Sequence, residues 1–264
     1  MTVNLHTHTF RCGHATGTER EYIERAIAGG ITHMGFSDHS PFIFPDGRQS
    51  RYRVPMERAQ EYVDTLRALR EEYKDRIKIY IGFEMEYYPL HFEQMLRTVS
   101  DLGAEYLIMG LHALGSEEKG HLATARATTD GEHLTEYVDT VIKAIESGVF
   151  TYIAHPDIFN FFGDEELYNT QMRRICKSAV QCDVPLELNF LGIRSGRYYP
   201  RQRFWRIAAE EGCKTVFGCD AHTAKDAYDE SSLAIAKYLQ QAYGLRVETR
   251  PQLVDPKTGN RYNL

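Results

Sequence analysis

Seven short apolar runs punctuate this 264-residue chain, and six of them stop at a histidine or a carboxylate. Val3 to Leu5 runs into His6-Thr7-His8-Thr9, and Ile31 to Phe36 ends at Ser37-Asp38-His39. Ile77 to Phe83 ends at Glu84, Tyr106 to Leu111 at His112, Val149 to Ala154 at His155, and Thr215 to Cys219 at Asp220. Val184 to Leu188, the sixth in order, holds Glu187 and ends at Asn189. The stretches between the runs have helical signals. Thr18 and Glu21 are placed for a capping box, before a helix closed by Gly29-Gly30. Between Pro55 and Tyr73, Ala59, Val63, Leu66 and Leu69 repeat at three and four, as one buried stripe requires. Helices are also expected at about 134–145 and 228–243. Short strand, polar end, long helix, repeated, is the pattern of βα units around a parallel sheet. The expectation is α/β class: one domain over 1–264, a distorted TIM-like (β/α)7 barrel with a peripheral tail from about 245. A flat doubly wound sheet is the alternative, but no Gly-x-Gly-x-x-Gly or P-loop follows a strand.

In a parallel barrel the carboxyl ends of all strands face one rim, where the chemistry of such folds sits. His6, His8, His39, Glu84, His112, His155, Asp220 and His222 would therefore converge, with His14 in the first rim loop. His6-x-His8 and Asp220-x-His222 have strand spacing, so each pair would project to one face. One strand-end histidine is ordinarily just hydrogen bonded, and His33, His91, His121 and His133 are read that way. Seven imidazoles and two carboxylates on one rim exceed what a single tetrahedral ion can use, and two or three ions account for them.

Lys+Arg is 31 against 37 Asp+Glu, a net charge of −6, which argues against broad nucleic-acid binding. No apolar run reaches 18 residues and residues 1–6 lack a leader pattern, so no membrane partner and a cytoplasmic location are expected. Five cysteines without a C-x-x-C pair make neither a disulfide framework nor a zinc ribbon.

His6-Thr7-His8-Thr9, Ser37-Asp38-His39, Glu84, His112, Ala154-His155-Pro156-Asp157 and Asp220-Ala221-His222 resemble the PHP (polymerase and histidinol phosphatase) family, from residue 4 to about 222. More narrowly, residues 10–15, 35–41 and 82–89 look like its stand-alone histidinol-phosphate phosphatases. The resemblance implies a distorted (β/α)7 barrel with up to three divalent ions, Zn, Fe or Mn. It implies one ion on His6, His8, Glu84 and Asp220, a second on Glu84, His112 and His155, and a third on His14, His39 and His222. Some branches have an acidic residue where this chain has His14.

The activity implied is phosphomonoester hydrolysis, with L-histidinol phosphate, a small phosphorylated metabolite of histidine biosynthesis, as substrate. A metal-bridging hydroxide would attack phosphorus, with Glu84, Asp220 and His222 as the catalytic set. Absence of a C-x5-R loop argues against a cysteine phosphatase. Alternative substrates for the same fold are a nucleotide, an oligonucleotide end or a phosphotyrosyl group. Phosphate oxygens outside the ions call for guanidinium forks. Arg197 is the first candidate and Arg194 the second, ahead of Arg48, Arg51 and Arg53. Glu187 and Asn189 are candidates for the amino-alcohol group, since their strand supplies no ligand. Asp38 and Asp157 would orient His39 and His155.

Overall fold

The computed structural model describes residues 1–117 and 121–264. Eight parallel strands form one sheet in chain order: β1 (Val3–Asn4), β2 (His33–His39), β3 (Lys78–Met85), β4 (Tyr106–Met109), β5 (Tyr152–Ile153), β6 (Leu186–Asn189), β7 (Lys214–Gly218) and β8 (Arg246–Val247). Outside it pack α1 (Glu19–Ala28), α2 (Ala59–Tyr73), α3 (Phe92–Leu102), α4 (Gly131–Glu146), α5 (Glu165–Gln181), α6 (Phe190–Arg194), α7 (Gln202–Glu210) and α8 (Glu230–Tyr243). The Thr18/Glu21 capping box is formed, and Ala59, Val63, Leu66 and Leu69 are all buried. The helix expected from Pro55 begins at Ala59, after a 3-10 turn at Met56–Arg58.

Closure of the barrel is what positions the rim. Beyond Asn4 the chain stays extended, and Thr7 bridges in parallel to Ala221. His8 N–H donates to the Ala221 carbonyl at 3.0 Å and Ala221 N–H to the His6 carbonyl at 3.3 Å. The first and seventh strands therefore meet at the carboxyl end. At the opposite end β7 takes β8 as its partner, Lys214 against Arg246 and Thr215 against Val247. This eighth strand has two residues, too few to leave a period in the sequence. Inside the ring Tyr106 fills the space above Gly35 and Gly82, and its Oη donates to the Leu5 carbonyl at 2.8 Å.

The tail is not peripheral, contrary to the sequence reading. β9 (Leu253–Val254) pairs antiparallel with β10 (Arg261–Tyr262), and Leu253 is buried among Val3, Leu5, Tyr106, Tyr152 and Val216. Val254 N–H donates to Thr151 Oγ1 at 3.1 Å, and Tyr262 Oη to the Glu105 carbonyl at 2.7 Å. The tail reads as polar because its apolar residues are few and scattered, yet Leu253 and Val254 turn inward to plug the floor, with Tyr262 and Leu264 packed against it. Among the described residues no helix is long and apolar enough to cross a membrane.

Candidate metal centre

The nine residues drawn from the strand ends and first loop gather at one rim. Glu84, at the end of β3 and buried, stands at the centre. Its Oε2 lies 3.6 Å from His6 Nε2, 3.5 Å from His8 Nε2 and 3.2 Å from His39 Nδ1. Its Oε1 lies 2.8 Å from His155 Nε2 and 3.6 Å from His112 Nε2. The two carboxylate oxygens thus face two separate groups of imidazoles. Asp220 Oδ1 lies 3.6 Å from His6 Nε2, 3.2 Å from His8 Nε2 and 3.3 Å from His222 Nδ1. The space for Glu84 comes from Gly110, where a Cβ would stand 1.9 Å from Oε1.

Hydrogen bonds behind the rings decide which nitrogens are free. His6 Nδ1 is 2.8 Å from Glu187 Oε1, and His8 Nδ1 is 3.3 Å from Asp38 Oδ1. Carboxylates only accept, so in the neutral rings both Nδ1 atoms carry the proton and both Nε2 atoms carry lone pairs. Yet these two Nε2 atoms are 3.2 Å apart. The same holds for His14 and His222. Their Nδ1 atoms lie 3.0 and 3.2 Å from the carbonyls of Cys12 and Asp220, and their Nε2 atoms face each other at 3.0 Å. His112 Nδ1 is held by Glu86 Oε1 at 2.9 Å, which leaves its Nε2 free. Lone pairs facing one another repel unless a cation lies between them. A tetrahedral ion with bonds of about 2.0 Å sets its ligands about 3.3 Å apart, which is the spacing observed. This donor set fits divalent ions.

Electrostatics agree with the geometry. Burial alone would push Glu84 and Asp220 up, but the surrounding imidazoles outweigh it and hold both well below the usual carboxylate range. Burial would lower His6, but Glu187, Asp220 and Glu84 raise it to about 10. Burial and neighbouring histidines push His39 well down, and burial with His222 lowers His14. Among the described residues, two of the three non-glycine residues at positive φ are in the centre: His155 at 32° and Asp220 at 46°. Left-handed backbone is costly for residues with a Cβ, and the sharp turn there aims each side chain back over the rim.

Beside the cluster opens a cavity of about 410 Å3, lined by His14, His39, His112, His155 and His222 together with Tyr52, Ile158, Leu191, Arg197 and Tyr199.

Residues 4–190 match the profile of the PHP domain. This chain belongs to the PHP family. Among PHP-related proteins, the probable histidinol-phosphatase of Deinococcus radiodurans is 29% identical over 222 residues, covering 82% of this chain and 85% of that one. The histidinol-phosphatase of Bacillus subtilis is 23% identical over 252 residues, covering 84% and 93%. A crystal structure of histidinol phosphate phosphatase from Lactococcus lactis, complexed with zinc, L-histidinol and phosphate, matches with a TM-score of 0.73 at 19% identity. It covers 99% of this chain and 98% of that one, and so shares the fold.

Within this PHP barrel, three residues expected at the substrate lie elsewhere. Arg194 does not reach the cavity. Its guanidinium donates to the Cys219 carbonyl at 2.7 Å and to that of Asp220, behind the end of β7, with Asp226 and Asp229 beside it. Glu187 and Asn189 point inward and are buried. Glu187 holds His6 and accepts from His155 N–H at 3.1 Å. Asn189 Nδ2 donates to Glu187 at 2.8 Å and to Asp220 Oδ2 at 3.0 Å. Gly218 opens the room for Glu187, since a Cβ there would stand 1.7 Å from Oε1. Arg197 does line the cavity, and its Nη1 donates to Tyr199 Oη at 2.9 Å.

The carboxylates behind the rings are also redistributed. Asp38 orients His8 rather than His39, and Asp157 accepts from Arg201 N–H rather than from His155. Buried Arg53 ties Glu86 to Glu117 and donates to the Ser40 carbonyl at 2.9 Å, so Glu86 is clamped where it meets His112. Glu84-x-Glu86 has the same period-two spacing as His6-x-His8, and that spacing is the sequence signal for Glu86. In the long loop after β2, Phe42 and Phe44 are buried against each other, while Tyr52 reaches the cavity and meets His39 edge-on.

Proposed function

We propose that this protein is a metal-dependent phosphomonoesterase that hydrolyses L-histidinol phosphate to histidinol and phosphate, in histidine biosynthesis. The observation that carries the reading is the set of imidazole nitrogens facing one another beside Glu84 and Asp220, at the edge of a cavity lined by the Arg197 guanidinium. Three divalent ions, Zn, Fe or Mn, would be held by His6, His8, Glu84 and Asp220, by Glu84, His112 and His155, and by His14, His39 and His222. Such ions supply positive charge for a phosphate dianion and lower the pKa of water to near neutrality.

The chain's own residues do the rest. Arg197, steadied by Tyr199 Oη, presents a fork to phosphate oxygens that the imidazoles leave free. Ile158, Leu191 and Tyr52 form an apolar wall for the leaving alcohol. Glu84 and Asp220 stay ionised among the histidines. Their charge, with that of Glu187, Glu86 and Asp38 behind the rings, fixes which nitrogens face the substrate. Five free thiols suit a reducing compartment, and the cytoplasm is the proposed location.

The test is metal analysis of the purified protein together with steady-state assay against a panel of phosphomonoesters: histidinol phosphate, a nucleotide, an oligonucleotide end and phosphotyrosine. Two to three ions per chain and a preference for histidinol phosphate support the proposal. Less than one ion per chain, or histidinol phosphate turned over no faster than a generic ester, overturns it.

A further inference from the structure

The three groups of imidazoles differ in what stands behind them. In the first, His6 Nδ1 rests on Glu187 and His8 Nδ1 on Asp38. In the third, the Nδ1 atoms of His14 and His222 rest on the carbonyls of Cys12 and Asp220. In the second, His155 Nδ1 meets no hydrogen-bond partner among the described residues, and only His112 is held from behind, by Glu86. Aim of that second group therefore depends on where the Glu86 carboxylate is fixed. Glu86 is buried, and its Oε2 is taken by Nη2 of Arg53, itself 1% exposed. The other donors of the guanidinium reach two further rim loops. Nε donates to Glu117 Oε1 at 2.8 Å, five residues past His112, where Tyr88 Oη also donates at 3.1 Å. Nη1 donates to the Ser40 carbonyl at 2.9 Å and to Ser40 Oγ at 3.1 Å, one residue past His39. One planar fork thus pins three loops at once, in diverging directions that a lysine ammonium cannot reproduce.

We propose that Arg53 is a positioning residue for the reaction: through Glu86 it holds His112, and so governs retention of the ion at Glu84, His112 and His155 but not of the other two. The inference rests on the divalent centre proposed above. A ring aimed before the ion arrives loses no further freedom on binding it, whereas a ring without its outer partner must be ordered at the expense of affinity. The first and third groups keep their own partners, none of which touches Arg53.

The test titrates zinc into the metal-free full chain and locates the bound ions by anomalous scattering from crystals grown at limiting zinc. Arg53→Lys keeps the buried positive charge and removes the fork. It should weaken one ion about 10- to 100-fold, and the depleted position should be the one between Glu84, His112 and His155, with far-ultraviolet circular dichroism unchanged. A second variant, Arg53→Met with Glu117→Gln, removes one charge of each sign and should deplete the same position. Glu86→Gln should do so too, and adding Arg53→Lys to it should weaken that ion no further, because the path is already cut. Full occupancy of that position in both Arg53 variants, equal weakening of all ions, or additive losses in the Glu86→Gln background would each overturn this inference alone. Wild-type protein holding less than one ion would overturn the proposed function and this inference with it.

Discussion

Gly110 faces Glu84 so closely that a Cβ on the glycine would stand 1.9 Å from Oε1, the oxygen turned toward His155 and His112. Gly110→Ala should therefore push Glu84 out of the centre while the sheet survives. The expected outcome is a fall in metal affinity of about 10- to 100-fold with it, with far-ultraviolet circular dichroism unchanged. Retention of full metal content would show that the carboxylate has room to move.

Glu187 touches His6 and His155 and does not line the cavity. Glu187→Gln should weaken metal binding by about 10- to 100-fold and lower kcat, with KM at saturating metal little altered. A raised KM with normal metal content would instead return Glu187 to the substrate.

Arg197 and Arg194 should separate cleanly. Arg197→Ala removes a fork from the cavity and should cost about 10- to 100-fold in kcat/KM, the range of a charge-assisted hydrogen bond, with little change in Tm. Arg194→Ala leaves the carbonyls of Cys219 and Asp220 without their donor. It should lower stability by about 1–3 kcal/mol, read by thermal denaturation. The reverse pattern would reject the assignment.

His6 in the metal-free protein is raised from 6.5 to about 10 by the acids around it, so it is protonated near neutrality. A ligand nitrogen must be unprotonated, so metal uptake at pH 7.5 should release protons. Calorimetry in buffers of different ionisation enthalpy measures this, and identical heats in all buffers would disprove it. Because the folded value lies above the unfolded one, His6 stabilises the metal-free protein fully below pH 6.5. That contribution is lost as pH rises through about 10. The Tm of metal-free protein should fall over that window, and fall less in Glu187→Gln.

Leu253 plugs the barrel floor and is fully buried. Leu253→Ala should cost about 2–5 kcal/mol in urea denaturation, whereas a peripheral tail would lose almost nothing.

The sequence by itself determined the alternation of strands and helices, and the convergence of His6, His8, His39, Glu84, His112, His155, Asp220 and His222 on one rim. Both follow from local period: strands and helices impose their spacing within a few residues, and a parallel ring turns every strand end to one side. Glu84-x-Glu86 is legible by the same rule. Tertiary structure alone decided that Glu187 and Asn189 turn inward and Arg194 backward. Their facing depends on sheet register and on the Thr7–Ala221 closure, which joins residues 214 positions apart (221 − 7). It also decided which nitrogen of each imidazole is free, since Asp38, Glu86 and Glu187 reach the rings from neighbouring strands. Two-residue strands such as β8 and β9 carry no period at all, and only pairing with β7 and with β10 makes them strands.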